Sequence, residues 1–376
     1  MSLRNYRQVA LGKRRPAYLR AAEYRCATGN LAELGTDELW ALHDHPSPGR
    51  GKSLLDLKIE LADRMLRKCA LCERRCGVDR TAGETGFCGV GGESRCFFEQ
   101  ILWGEEEPLI PSHEVFFSGC NMRCRYCYSW EAVLDPAMGK PLVPEELAGL
   151  ADSRRREGAA NLNLIGGEPT VSLPGILKVL KHINCPTAVV WNSNFFMSEE
   201  AMKLLNGIVD LYVGDFRFGN DQCASEIAAT DGYFEAAARN FELAARSGAV
   251  IIRHLVMPGH VECCLRPIAE WMAAHLPGVP FNLMFQYTPC FKAVGHPVLG
   301  KPLSRDEEKA ARGIVKSLRL NTRRWRRPLP GRPSPAGIGS GEFGTSITIR
   351  PDGRVTVLHL HSELLGLVRA LNDNRK

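Results

Sequence analysis

The sequence predicts an α/β protein: a partial (βα)6 TIM-like barrel with a Cys-rich, mostly helical N-terminal extension and a C-terminal hairpin. Three observations carry this. From about residue 113 onward, six short β-branched or apolar runs alternate with helix-patterned stretches, which calls for a parallel sheet joined by right-handed crossovers. A stretch dense in cysteine and glycine precedes them. An alternating pattern broken by Pro351-Asp352-Gly353 follows them.

Residues 1–68 read as a helical extension. Within it, Leu54–Arg67 (LLDLKIELADRMLR) carries apolar side chains at helical spacing, after a Pro/Gly-rich turn over Asp44–Gly51. Residues 69–112 form a Cys-rich metal- or cluster-binding segment, with little regular structure expected over 69–96. The barrel spans 113–303. Its strands are expected at His113–Ser118, Asn161–Ile165, Thr187–Ser193, Leu211–Phe216, Val250–Val256 and Phe281–Tyr287. Its helices are expected at Pro144–Arg156, Leu173–Ile183, Glu199–Ile208, Gly232–Ser247 and Val261–His275. Chemistry in such folds gathers at the C-terminal ends of the strands. Residues 304–376 read as a helix (Arg305–Leu318), a flexible basic loop over 327–344, and a hairpin over Thr345–Leu358.

The 376 residues, 44% hydrophobic and 24% charged, have the balance of a globular protein that can bury a large core. The N-terminus is basic and polar, without the apolar stretch of a secretion signal. The best apolar run, Ala249–Ile252, is stopped by Arg253 far short of a membrane span. A cytoplasmic location with no membrane partner is therefore expected. The net charge of +6 includes one dense cluster, Arg323-Arg324-Trp325-Arg326-Arg327. No nucleic-acid module accompanies it, so a flexible basic loop is expected there rather than a nucleic-acid site.

Fourteen cysteines in a reducing compartment point to metal before disulfides. Cys120, Cys124 and Cys127 stand at C-x3-C-x2-C spacing directly after the first barrel strand. Three thiolates so close can hold three corners of an iron–sulfur cubane and leave one iron open. A zinc knuckle with a remote fourth ligand is the alternative, although no histidine follows locally. Cys69, Cys72, Cys76 and Cys88 supply four thiolates, a closed set for zinc or for a second [4Fe–4S] cluster, with Cys96 as a substitute ligand. Iron–sulfur is preferred there, because cluster machinery must already mature this chain. Cys263 and Cys264 open a helix on the active-site face, where a lowered thiol pKa is expected. They could donate hydrogen, ligate metal or simply pack. Cys26, Cys185, Cys223 and Cys290 read as core or surface thiols.

Polar residues punctuate the later strand ends. Gly166-Gly167-Glu168-Pro169-Thr170 closes the second strand; its glycines admit close backbone approach, and Glu168 can accept from an ammonium group. Asn192, Ser193 and Asn194 end the third strand, Asp215 and Arg217 the fourth, and Arg253 lies in the fifth. Arg217 or Arg253 could neutralise a carboxylate, and Asn or Ser could bond hydroxyl groups.

The three-cysteine loop, with the aromatic Tyr126 before its last cysteine, resembles the signature of the radical S-adenosylmethionine (radical SAM) enzymes. The Gly-Gly-Glu-Pro loop resembles that superfamily's methionine-binding motif. The resemblance implies a [4Fe–4S] cluster on Cys120, Cys124 and Cys127, with S-adenosylmethionine chelating the fourth iron. It also implies Tyr126 against the adenine and a 5′-deoxyadenosyl radical that abstracts hydrogen, fed by a reductant such as flavodoxin or ferredoxin. Asp215-Phe216-Arg217 and the pattern Arg253-x-x-Val256-x-Pro258-Gly259 narrow it to the pyruvate formate-lyase activating enzyme branch, over roughly residues 65 to 320. A protein substrate activated at glycine is then expected. A small molecule or peptide is the alternative, and a non-catalytic zinc module the remote one. The Cys-rich N-terminal segment and Arg217, where that branch usually has lysine, depart from the pattern.

Overall fold

The computed structural model describes residues 2–26, 29–322, 346–349 and 355–358. The chain begins with α1 (Leu3–Ala10), α2 (Ala17–Glu23), β1 (Arg25–Cys26), α3 (Thr36–Asp44), β2 (Pro48–Ser53) and α4 (Leu54–Arg67). Then come β3 (Arg95–Leu102), β4 (Ser112–Phe117), α5 (Trp130–Leu134), β5 (Lys140–Pro141), α6 (Pro144–Arg156), β6 (Asn161–Gly166) and α7 (Leu173–His182). The alternation continues through β7 (Ala188–Ser193), α8 (Glu199–Leu205), β8 (Leu211–Asp215), α9 (Asp221–Ala228), α10 (Tyr233–Ser247) and β9 (Ala249–Leu255). It closes with α11 (Arg266–His275), β10 (Phe281–Met284) and α12 (Arg305–Ser317), followed by β11 (Ser346–Ile349) and β12 (Val355–Leu358).

One eight-stranded sheet runs β10-β9-β8-β7-β6-β4-β3-β5. The six strands from β10 to β4 are parallel, as the strand–helix alternation predicts, and form a partial (βα)6 barrel. β3 and β5 add an antiparallel margin. β3 lies in the stretch assigned to the Cys-rich segment; a strand there pairs the open edge of β4 and leaves it no free ladder. α4 and α6 match their expected bounds. Ser53 caps α4 by accepting from the Asp56 N–H at 3.0 Å while Asp56 bonds back, a reciprocal capping box. The expected helix at Val261–His275 splits into a π turn, Val261–Leu265, and α11.

Alternation along the strands sorts the two faces. Outward residues such as Val115, Leu164, Trp191 and Tyr212 pack under the helices in the main core. Phe195 stacks on Phe241 at 4.0 Å, and a fully buried phenylalanine contributes about 2 kcal/mol. The inward face has two zones. At its base, Ala188, Val190, Leu211, Val213, Ala249 and Ile251 meet Tyr6 and Val9 of α1. Above that apolar floor the inward positions turn polar: Glu114 and Asn163 are register partners, as are Asp215, Arg253 and Asn282.

The chain divides into two compact units, 1–325 and 326–376. In the second, β11 and β12 pair antiparallel from Ser346–Leu358 to Ile349–Val355. The expected turn Pro351-Asp352-Gly353, the 327–344 loop and the Arg323–Arg327 cluster lie outside the described residues. No helix among the described residues is long and apolar enough to cross a membrane.

Candidate active site

The loop after β4 carries Cys120, Cys124 and Cys127 at the C-terminal edge of the sheet, the first two buried and the third half-buried. Backbone bonds fix it: the Arg123 and Arg125 N–H groups donate to the Ala228 and Ile227 carbonyls of α9 at 2.9 and 2.8 Å. Amide donors approach the Cys120 sulfur, the Met122 N–H at 3.4 Å and the Asn194 Nδ2 at 3.8 Å. Burial pushes all three thiols up, Cys127 to about 12. A buried trio of this kind needs a cation to become thiolate, and an iron–sulfur cluster is such a cation.

The Gly-Gly-Glu-Pro loop lies directly against this cysteine loop. The Gly167 N–H donates to the Phe117 carbonyl at 2.8 Å, and the Glu168 N–H to the Gly119 carbonyl at 3.1 Å. A Cβ at Gly167 would collide with the Gly119 carbonyl oxygen, and Gly166 has φ +125°, so both glycines are required by the approach. Glu168 is buried, and its carboxylate accepts from the Thr170 N–H and hydroxyl, the Ser193 hydroxyl and the Asn194 N–H at 2.6–3.1 Å. Burial nevertheless leaves its carboxyl above the usual carboxylate range. Three of those bonds fall on Oε1, leaving Oε2 room for a further donor.

Asn194 links the loops. Its Nδ2 donates to Asn121 Oδ1 at 2.7 Å, and Asn121 donates to the Phe196 carbonyl at 3.0 Å. The turn needs Phe195 in the left-handed region at φ +61°, held by Asn240 bonds to the Phe195 and Met197 carbonyls. The Tyr233 hydroxyl accepts from the Arg217 N–H at 2.9 Å and lies 2.7 Å from the Asp215 carbonyl, binding the next strand end.

The two arginines part company. Arg217 pairs with Asp215 at 2.6 Å and lies beside Cys124 and Tyr126. Its buried Nε has no partner, nor does Asn192 Nδ2. Arg253 instead is buried in an ion pair with Glu105 and Glu106, and Asn282 adds a bond to Glu106 at 2.6 Å. Its charge is matched by two carboxylates, whereas Arg217, paired with Asp215, lies beside the Cys124 thiol and is the arginine at the cysteine loop. Glu114 adjoins this group, and burial together with Glu105 drives its carboxyl well up. Glu114 Oε1 and Asn163 Oδ1 are also unpartnered. Orphaned polar atoms in one interior are unusual and fit a site built for a polar ligand. The Tyr126 ring is buried edge-on to Tyr287.

The second cysteine group closes on itself. Cys69, Cys72, Cys76 and Cys88 line one small cavity together with Arg74, Arg80 and Asn121. The Cys69 N–H donates to the Val78 carbonyl, and the Gly77 N–H returns to the Cys69 carbonyl. The two groups adjoin: Arg74 Nε donates to the Asn121 carbonyl at 3.0 Å and Arg123 to the Phe87 carbonyl at 2.5 Å. Cys96 sits buried in β3 and does not line the cavity.

Cys263 and Cys264 differ from expectation. They occupy the π turn rather than an α-helix N-terminus, and burial pushes both thiols up instead of down. Cys223, read as a core or surface thiol, faces them. Sequence reasoning also missed the roles of Asn121 and Thr170, which lie inside the two motifs, and of Tyr233, Glu105, Glu106 and Glu114, which carry no motif.

Residues 115–272 match the Radical SAM superfamily model. An uncharacterized protein of Methanocaldococcus jannaschii is 38% identical over 275 residues, 72% of this chain and 80% of that one. Among solved structures, a radical SAM methyltransferase from Sphaerobacter thermophilus shares 13% identity over 79% of this chain and 94% of its own, at a TM-score of 0.40. Streptococcus suis SuiB bound to its precursor peptide SuiA shares 10% identity over 54% of this chain, at a TM-score of 0.40; this chain spans only 46% of SuiB. The chain belongs to the radical SAM superfamily.

Proposed function

We propose that this radical SAM enzyme holds its catalytic [4Fe–4S] cluster on Cys120, Cys124 and Cys127 and abstracts hydrogen from a substrate presented at the mouth of the barrel. The observation that carries the reading is the union of the two loops: Gly167 and Glu168 bonded to the Phe117 and Gly119 carbonyls, with Asn194 joining Glu168 to Cys120. When bound, the cluster and S-adenosylmethionine supply reductive cleavage of the sulfonium and hydrogen-abstracting chemistry. The chain's own residues bind and orient. Gly166 and Gly167 leave room for the methionine moiety, and Glu168 accepts from its amino group through Oε2. Arg217 Nε meets its carboxylate, while Asn192 and Ser193 serve the ribose and Tyr126 the adenine. Asp215 holds Arg217 in place.

Cys69, Cys72, Cys76 and Cys88 hold a second [4Fe–4S] cluster in this reading, with zinc as the alternative. Their cavity shares Asn121 with the catalytic loop, which suits an electron relay from a flavodoxin- or ferredoxin-type donor.

For the substrate, the Asp215-Phe216-Arg217 and Arg253–Gly259 patterns favour an activating-enzyme-like role on a protein glycine. The unpartnered Glu114 Oε1 and Asn163 Oδ1, just above the apolar floor, favour a second reading, a small molecule or peptide end reaching inside. The test is anaerobic reduction with S-adenosylmethionine in protein of known iron content. Formation of 5′-deoxyadenosine supports the enzyme reading, and none in fully loaded protein overturns it. A glycine-centred paramagnetic signal in a partner protein supports the activating role; turnover that rises only with a small metabolite supports the second.

A further inference from the structure

Apart from the two cysteine groups above, four ligand atoms converge between neighbouring strand-to-helix connections. Cys223 Sγ, His260 Nδ1, Cys263 Sγ and Cys264 Sγ all lie within 4.8 Å of one another. The Cys223 and Cys263 sulfurs are 3.7 Å apart. His260 Nδ1 stands 3.5 Å from Cys223, 3.3 Å from Cys263 and 4.0 Å from Cys264. A tetrahedral zinc ion with Zn–S about 2.3 Å and Zn–N about 2.0 Å has sulfur–sulfur edges of about 3.8 Å and sulfur–nitrogen edges of about 3.5 Å. The four separations scatter around those edges.

We propose that Cys223, His260, Cys263 and Cys264 form a structural Zn²⁺ site that clamps the first turn of α9 to the β9–α11 connection. The ligand chemistry selects the metal class: three thiolates and an imidazole suit zinc and reject magnesium or calcium. Four protein ligands also complete the shell and leave no open position.

Local structure is shaped to this end. Cys263 and Cys264 are neighbours in the π turn Val261–Leu265, and both sulfurs join the group, while Glu262 in the same turn pairs with Arg266. Gly219 lies against the turn so closely that a Cβ would collide with the Cys264 carbonyl. Asn220 ties the halves together: its Nδ2 donates to the Cys263 carbonyl at 2.6 Å and its Oδ1 accepts from the Cys223 N–H at 2.8 Å. Cys223 and Cys264 are buried, while His260 and Cys263 are half-buried and open to metal entry.

The clamp bears on the catalytic loop without touching its cysteines. It fixes α9, whose Ile227 and Ala228 carbonyls receive the Arg125 and Arg123 N–H groups.

The test uses the full chain, produced with added zinc and purified without oxygen. Metal analysis with zinc-edge X-ray absorption is expected to find one zinc per chain in a shell of three sulfurs and one nitrogen. That shell should be lost in His260→Ala and Cys263→Ser and kept in Cys72→Ser, whereas zinc in the N-terminal group would show an all-sulfur shell. Alkylation mapping of folded wild type guards against variants that fail to fold: zinc should protect Cys223, Cys263 and Cys264 together, and chelation should expose them. Absence of a zinc with the mixed sulfur–nitrogen shell, unprotected thiols in zinc-loaded wild type, or a Cys223–Cys263 disulfide in the purified protein would each overturn the site.

Discussion

The two cysteine groups that meet at Asn121 follow opposite plans. Cys120, Cys124 and Cys127 hang from one strand, β4, and take their surroundings from three others: Glu168 after β6, Asn194 after β7 and Arg217 after β8. Cys69, Cys72, Cys76 and Cys88 come from one continuous segment folded by its own backbone bonds. On the proposed reading, a site one ligand short must recognise its missing partner, which suits donors spread across the sheet. A site with a full set needs only a loop.

The sharpest way to break this comparison is a pair of variants. Cys124→Ala is expected to reduce 5′-deoxyadenosine formation to background. Cys72→Ala should lose about four irons per chain yet keep cleavage detectable with a chemical reductant. Equal loss in both would show that the two groups work as one unit.

Glu168→Gln comes next. It removes the charge while keeping the shape, and a charge-assisted hydrogen bond is worth about 1.5–3 kcal/mol. S-adenosylmethionine affinity, measured by equilibrium binding, should fall about 10- to 100-fold at unchanged iron content. Gly167→Ala should cost about 1–3 kcal/mol in urea denaturation, because the added methyl forces the two loops apart. Iron should be lost from the Cys120 group and kept in the Cys69 group. Smallest is Arg74→Ala, which removes the bonds to Asn121, to the Ala229 carbonyl and to the Thr230 hydroxyl, and the guanidinium 3.7 Å above Phe87. A stability loss of about 1 kcal/mol in urea denaturation, with both iron counts kept, would show that the groups are joined mechanically rather than by shared ligands.

What could be read in advance was what local spacing encodes. The six parallel strands start within a residue or so of their β-branched runs, and the cysteine and glycine motifs are contiguous. β3 escaped because Arg95–Leu102 pairs backwards onto β4 beside a loop-rich stretch. The partners of Arg253 escaped because Glu106 lies 147 residues away in sequence. His260, Cys263 and Cys264 are visible as a run, but Cys223 joins them across 37 residues, through a short helix that its capping residue Asn220 alone announces. Long-range pairing of polar groups follows the topology, and no periodicity records it.

Tyr6 and Val9 cork the barrel at its base. Stoppered there, the interior is left to ligands that come from the strand ends carrying the cysteines. On the proposed reading, nucleoside and substrate share that side of the barrel, and a bulky guest would offer a slender protruding stretch with its body kept outside.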